Sequence, residues 1–215
     1  MEHFLAYPLR EIPYVVITLM FAFTFHEFAH AYVAYKFGDM TAKKQGRLTL
    51  NPLQHLDPFG TLLILIAGFG WARPVPVNRF HFKRPRLAGV LVSVAGPLSN
   101  LVLASVGFIV FYGLKSFGYV PSVNFTDFLN IFIYLNVVLF IFNLLPLPPL
   151  DGYRIVEDLA PNHIRAKMTQ YEQYGVLIFL VLVITPLDQF TIQPIFGFVL
   201  PWVLDGLSHF FSMLF

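Results

Sequence analysis

His26-Glu27-Phe28-Ala29-His30 sets two imidazoles and a carboxylate inside a stretch, Ile12 to Tyr35, that is otherwise almost wholly apolar. A helix turns once every ~3.6 residues, so His26 and His30 project from one face, one turn apart, with Glu27 beside them. That is half of a zinc site. An ionisable group at membrane depth costs on the order of 3 kcal/mol, so a chain that carries this cluster in a hydrophobic span has a use for it.

The composition states which solvent surrounds the chain. Hydrophobic residues make up 57% and charged residues 12% of 215 positions, against roughly 25% charged in a soluble domain. This excludes a soluble globular protein and predicts an all-α, polytopic membrane protein. At about 20 residues per crossing there is room for some five to six hydrophobic segments. The chain has no cysteine, so disulfides and thiolate ligands are excluded, and any metal is held by His, Asp or Glu. A net charge of +2 gives no footprint for nucleic acid.

Spans are expected at about 12–36, 87–113 and 127–148, with two more near 173–185 and 192–214. Thr61 to Phe69 is apolar but far short of a crossing, so it is expected to be re-entrant or buried in the bundle. The whole chain, 1–215, reads as one transmembrane domain, with a catalytic core at about 12–155 and additional helices at about 165–215. If the short piece does not cross, the loops at 36–86 and 153–172 share one side and carry every Lys and Arg except Arg10 and Lys115. The positive-inside rule makes that side cytoplasmic. The histidine pair then opens toward the cytoplasm.

A hydrolytic zinc site takes three protein ligands and a water, so one ligand comes from elsewhere. Asp151 stands out because it follows a long span and the run Pro146-Leu147-Pro148-Pro149-Leu150. Those prolines end the helix in extended chain, whose bare carbonyls are tolerated at membrane depth only inside protein or beside a wet cavity. Alone, Asp151-Gly152 also reads as an ordinary turn at a helix exit.

HEFAH in the first span and the Asn143…Pro146…Asp151-Gly152 block resemble the two signatures of the site-2 proteases, intramembrane zinc metalloproteases that cut membrane-spanning or membrane-embedded substrates. The resemblance runs from about residue 20 to residue 155 and takes in Asn51-Pro52, Gly96-Pro97 and Asn100. It implies that His26, His30 and Asp151 hold one Zn²⁺ per chain, that Glu27 is the general base, and that Asn143 handles substrate. It also implies a multi-pass protein of a bacterial or archaeal cell membrane whose partners are the lipid bilayer and a membrane-embedded protein substrate. Unlike larger relatives, the chain leaves no room for a PDZ domain between its core spans.

The residue types carry the same chemistry. Zinc acidifies water and polarises a carbonyl, while Glu27 can accept a proton and return it to a leaving amine. Asn143 is a candidate hydrogen-bond donor to the developing oxyanion, or a helix-to-helix contact. His55 is a candidate for orienting substrate or supplying a ligand. The alternative makes it a loop residue, with Asp57 capping the segment that begins at Pro58. In Trp71 to Phe80 the prolines at 74 and 76 blunt one edge of an extended strand while Val75 and Val77 keep their donors on the other. That edge can pair with an unwound substrate, or a β-hairpin near 71–82 can close on itself. Gly89, Ser93, Gly96 and Asn100 line one face of their span, which reads mainly as packing against the histidine helix, the alternative for Asn100 being a hydrogen bond donated to a metal ligand. The rival from another class is a catalytically silent metal-binding scaffold or transporter, which would have no need of Glu27.

Overall fold

The computed structural model describes residues 6–68 and 70–215, except for the side chains of Val183 and Ile184. Eight helices are found among them: α1 (Ile12–Lys36), α2 (Thr41–Lys44), α3 (Pro58–Ala67), α4 (Pro85–Ser116), α5 (Val123–Asn143), α6 (Asp151–Leu159), α7 (Asn162–Ile184) and α8 (Asp188–Leu214). Four of them, α1, α4, α5 and α8, are long and apolar enough to cross a membrane. Helix α7 reaches full length only through a polar first half, Asn162 to Tyr174, so the expected five to six hydrophobic segments, one of them re-entrant, are not confirmed by length and composition.

Helix α4 is the centre of the bundle. It packs along α1 and α5 and touches α6 and α8. Ala104 and Phe108 of α4 meet Ile133, Val137 and Ile141 of α5 and Phe211 of α8 in one cluster. Large apolar side chains such as Phe21, Val102, Phe198 and Trp202 stay exposed on the outer faces. In water such a surface would drive aggregation, whereas lipid is its natural solvent. The chain is an integral membrane protein.

Helix α3 begins at the N-cap Asp57, whose carboxylate accepts the Gly60 N–H at 2.8 Å, and stops at Gly68 in the left-handed region at φ 71°. Its ten residues span about 15 Å, half a bilayer core. Leu65 and Ile64 pack against Val15, Leu19 and Phe23 of α1 and Leu135 of α5. A Cβ on Gly60 would strike the Trp71 backbone, so the chain leaving α3 doubles back against it.

After that reversal, residues 71–78 run extended to a single helical turn at Arg79–His81. Among the described residues there is no β-strand, so the expected hairpin near 71–82 does not form. The reason lies in what the segment bonds to. Prolines 74 and 76 strip donors from one edge, and side chains take four polar groups of the remainder. Arg47 Nη2 and Nη1 donate to the Arg73 and Pro74 carbonyls at 2.7 and 3.3 Å, Val75 N–H donates to Glu27 Oε2 at 2.7 Å, and Asn78 N–H donates to Asp39 Oδ2 at 2.6 Å. The segment is a strap laid across the end of α1.

Both ends of this side of the bundle are held by buried acids. Asp39 also accepts from Thr41 N–H and Oγ1 and from His81 Nδ1. Asp158 of α6 receives Arg79 at 2.8 Å and Arg165 at 3.0 Å, while Glu157 accepts from Thr169 Oγ1 and pairs with Arg79. A Cβ at Gly89 would collide with the Asp158 carboxylate, so α6 lies flush on α4 only because that position is glycine.

Burial works against the charge of Asp39, but the bonds from Thr41, His81 and Asn78 outweigh it and hold the carboxyl below its ordinary range. A depressed folded-state pKa means stabilisation that is complete above the unfolded value and is lost as pH falls through the folded one. Asp39→Asn should therefore lower stability by about 1–3 kcal/mol near neutrality. In thermal melts of the detergent-solubilised protein, the gap to the parent should stay constant down to about pH 4 and close below it.

Candidate metal centre

Helix α1 carries both histidines on the face turned to α4. His26 Nδ1 lies 2.9 Å from Asn100 Oδ1, and His30 Nδ1 lies 2.7 Å from the Val92 carbonyl, in the stretch of α4 that Pro97 interrupts. The Asn100 orientation is fixed by its other bonds. Its Nδ2 donates to the Ala22 carbonyl at 3.3 Å and to Asn136 Oδ1 at 3.2 Å, and Asn136 in turn donates to the Phe132 carbonyl. With both amide hydrogens spent on carbonyls, Asn100 can only accept from His26. Each histidine therefore donates from Nδ1, which leaves Nε2 as the ring nitrogen that can bind a metal.

The two Nε2 atoms lie 3.0 Å apart, and Asp151 Oδ2 lies 3.2 Å from each. Asp151 opens α6, and the prolines at 146, 148 and 149 separate it from the end of α5 at Asn143. A Cβ at Gly152 would run into the Leu144 and Leu145 carbonyls, so α6 starts folded back on the α5 terminus. On the α4 side a Cβ at Gly96 would strike His30 Nε2 and His26. Glycine at 96 makes the space in which the imidazoles meet.

Three potential ligand atoms thus converge in a buried place. Asp151 Oδ2 is buried and has no hydrogen-bond partner. Such an arrangement is costly unless a cation sits among the three. Among the described residues, His26, His30 and Asp151 are the group whose ligand atoms lie close enough, within 4.8 Å, to share an ion. Tetrahedral zinc ligands at about 2.0–2.2 Å from one centre stand roughly 3.3–3.5 Å apart, near the separations found here. Two imidazoles, one carboxylate and an open fourth position suit Zn²⁺.

The centre faces a cavity of about 780 Å³, lined in part by Glu27, Trp71, Pro74, Val75, Asn143 and Phe179. Asn143 Nδ2 donates to the Leu139 carbonyl of its own helix, so it neither bridges helices nor reaches the histidines. Val75 and Val77 both line the cavity. The expected open edge is only half open, because the Val75 donor is spent on Glu27 while Val77 N–H finds no hydrogen-bond partner among the described residues. His55 lies outside the cavity. It is fully buried, its Nε2 bonds the Thr49 carbonyl at 2.8 Å, and Asp57 caps α3 as the loop alternative had it. Glu157 and Glu172, the two glutamates that follow the motif in sequence, are committed to arginines.

Asn100 is the residue whose role sequence reasoning undervalued. Read as helix glue, it does bridge α4 to Asn136 of α5, but the same amide also orients His26. Its polar side chain in an apolar span, four residues after Gly96, was the available signal. Asn136 and Arg47 gave none that distinguished them from a helix contact and a loop cation.

Three relatives bear the name "Putative zinc metalloprotease": YwhC of Bacillus subtilis (strain 168), 64% identical over 198 residues and 90% of each chain; Rip2 of Mycolicibacterium smegmatis, 33% identical over 80% of this chain and 67% of its own; and MJ0611 of Methanocaldococcus jannaschii, 29% identical over 71% of this chain and 75% of its own. No solved structure matches the chain. The profile of Peptidase family M50 matches residues 112–186, a stretch that holds the Asp151 end of the centre. With nine-tenths of its length aligned to a relative at 64% identity, and with two histidines and an aspartate converging on one buried point, this chain is a zinc metalloprotease and belongs to Peptidase family M50.

Proposed function

We propose that the protein is an intramembrane endopeptidase that hydrolyses peptide bonds of membrane-spanning or membrane-associated proteins, with its active site open to the cytoplasm. The observation that carries this reading is the burial of a hydrolytic ligand set among helices built to cross a membrane. His26, His30 and Asp151 would hold the ion, and Asn100 and the Val92 carbonyl fix the rings that bind it. Bound zinc supplies an acidified water and a polarised scissile carbonyl.

Glu27 supplies the proton traffic. Its Oε2 is engaged by Val75 N–H, which leaves Oε1 to take the proton of the attacking water and to return it to the departing amine. Asn143 Nδ2 is placed on the cavity wall and, on turning from the Leu139 carbonyl, could donate to the developing oxyanion. A peptide must be unwound before it is cut, and its bare backbone groups then need partners. Val77 N–H, beside Val75 on the strap, offers one. The basic loops at 36–86 and 153–172 support the cytoplasmic orientation, because α1 ends, α4 begins and α5 ends at the level of the centre.

Three measurements test this reading. Glu27→Gln should keep zinc, because Glu27 is not a ligand, while hydrolysis of a single-span substrate falls by about 10²–10⁴. Full turnover in that variant would remove Glu27 from the reaction. Asn100→Ala should weaken zinc about 10–100-fold in competition with a chelator, since His26 loses the partner that fixes its tautomer. Unchanged affinity would reduce Asn100 to a helix contact. The chain has no native cysteine, so single cysteines at Lys44 and Lys115 report orientation directly. In intact cells an impermeant maleimide should label position 115 and leave 44 unlabelled, and the reverse pattern would turn the site outward.

A further inference from the structure

Arg47 is buried, with 5% of its surface exposed, yet it forms no ion pair with a carboxylate among the described residues. Taking a guanidinium out of water is expensive, and Glu27, the carboxylate whose charge it feels, lies beyond ion-pair distance, so its contacts have to compensate. It spends them on one short piece of backbone. Nη2 donates to the Arg73 carbonyl at 2.7 Å and Nη1 to the Pro74 carbonyl at 3.3 Å. These are consecutive carbonyls, and a planar fork of donors can hold both where a lysine ammonium on a flexible stem cannot fix the same plane.

The Pro74 carbonyl belongs to the same peptide unit as the Val75 N–H. That N–H lies 2.7 Å from Glu27 Oε2. Fixing the oxygen of a rigid, planar peptide also fixes the direction of its N–H, and this one points at the carboxylate beside the histidine pair. The rest of the strap agrees with such a purpose. Arg73 N–H is tied to the His55 carbonyl at 2.8 Å, and the buried His55 ring holds the Thr49 carbonyl, so the loop at 49–55 braces one end while Asp39 holds Asn78 at the other.

We propose that Arg47 is a positioning residue for the reaction: by clamping the 73 and 74 carbonyls it directs the Val75 amide onto Glu27 and so sets the orientation of the general base. The inference rests on the reading of Glu27 given above. It assigns to a loop cation, 20 residues from Glu27 in sequence, part of the precision of the catalytic carboxylate.

The test uses the zinc-loaded full chain in detergent, with Arg47→Met and Arg47→Lys. Because residues 74 and 76 are prolines, the stretch 73–77 has amide hydrogens only at Arg73, Val75 and Val77. Hydrogen exchange of this segment therefore reads the clamp without any reference to activity. In Arg47→Met the Val75 amide should exchange at least about tenfold faster while Val77 stays as fast as in the parent. At equal zinc content kcat should fall about tenfold with KM within about threefold, and Arg47→Lys should recover part of both changes. Combined with Glu27→Gln, Arg47→Met should add nothing to the loss, because the group it positions is already gone.

Unchanged Val75 exchange overturns the proposal. So does a loss that multiplies in the double variant, which marks a merely structural role, or one carried by KM alone, which marks a substrate contact. If Arg47→Met does not fold, Arg47→Lys decides the same questions, with intermediate acceleration of Val75 exchange expected and parental exchange overturning the clamp. Should Glu27→Gln prove fully active, the proposed mechanism fails, yet the exchange data still decide whether Arg47 holds the strap.

Discussion

Three electron-pair donors brought to one buried point, His26 Nε2, His30 Nε2 and Asp151 Oδ2, form the constraint on which the rest of the structure depends. Atoms that repel one another at about 3 Å in a low-dielectric interior stay together only if the surrounding structure holds each of them and a cation can sit between them. The outward nitrogens of the histidines must find acceptors, which α4 supplies through Asn100 and Val92. Helix α4 must come close enough to do so, and Gly96 is what permits the approach. The carboxylate must arrive from another helix, so α5 has to end early and the chain has to reverse through prolines and Gly152.

A second layer of structure exists because backbone cannot be left bare near a membrane. The strap at 71–78 is neither helix nor sheet, and four of its polar groups are held by side chains drawn from distant positions: Glu27, Asp39 and Arg47. Those side chains are among the polar residues buried on that side of the bundle. Burial of charge, which a membrane protein should avoid, is here the means by which an irregular segment is tolerated. Arg79 extends the same logic by joining the strap to Asp158 and Glu157 on α6, the helix that delivers Asp151. The metal side and the strap side are thus braced against each other, and Glu27 sits where they meet.

Much of this was legible in the sequence, for identifiable reasons. His26, Glu27 and His30 lie within five residues on one helix, where local geometry fixes their relation. The prolines before Asp151 announce a broken span, and the short apolar piece after Pro58 announces a helix that does not cross. Where the sequence reading went wrong, the cause was non-local. Val75 looked like a free donor because nothing in the sequence around it reveals that Glu27, 48 residues away, will take its hydrogen. The hairpin failed for the same reason, since its partners turned out to be side chains rather than a second strand.

By itself, then, the sequence determined the solvent of the chain, the metal-binding chemistry and the helix that carries most of it, because composition and i,i+4 spacing act over single turns and single spans. Only the tertiary structure decided that Asn100 accepts from His26 as well as joining helices, that His55 braces a loop outside the cavity, and that Arg47 grips the strap beside Glu27. Those roles depend on distances between helices and loops dozens of residues apart. Side-chain type limits what a residue can bond to, but packing chooses which partner comes within 3 Å.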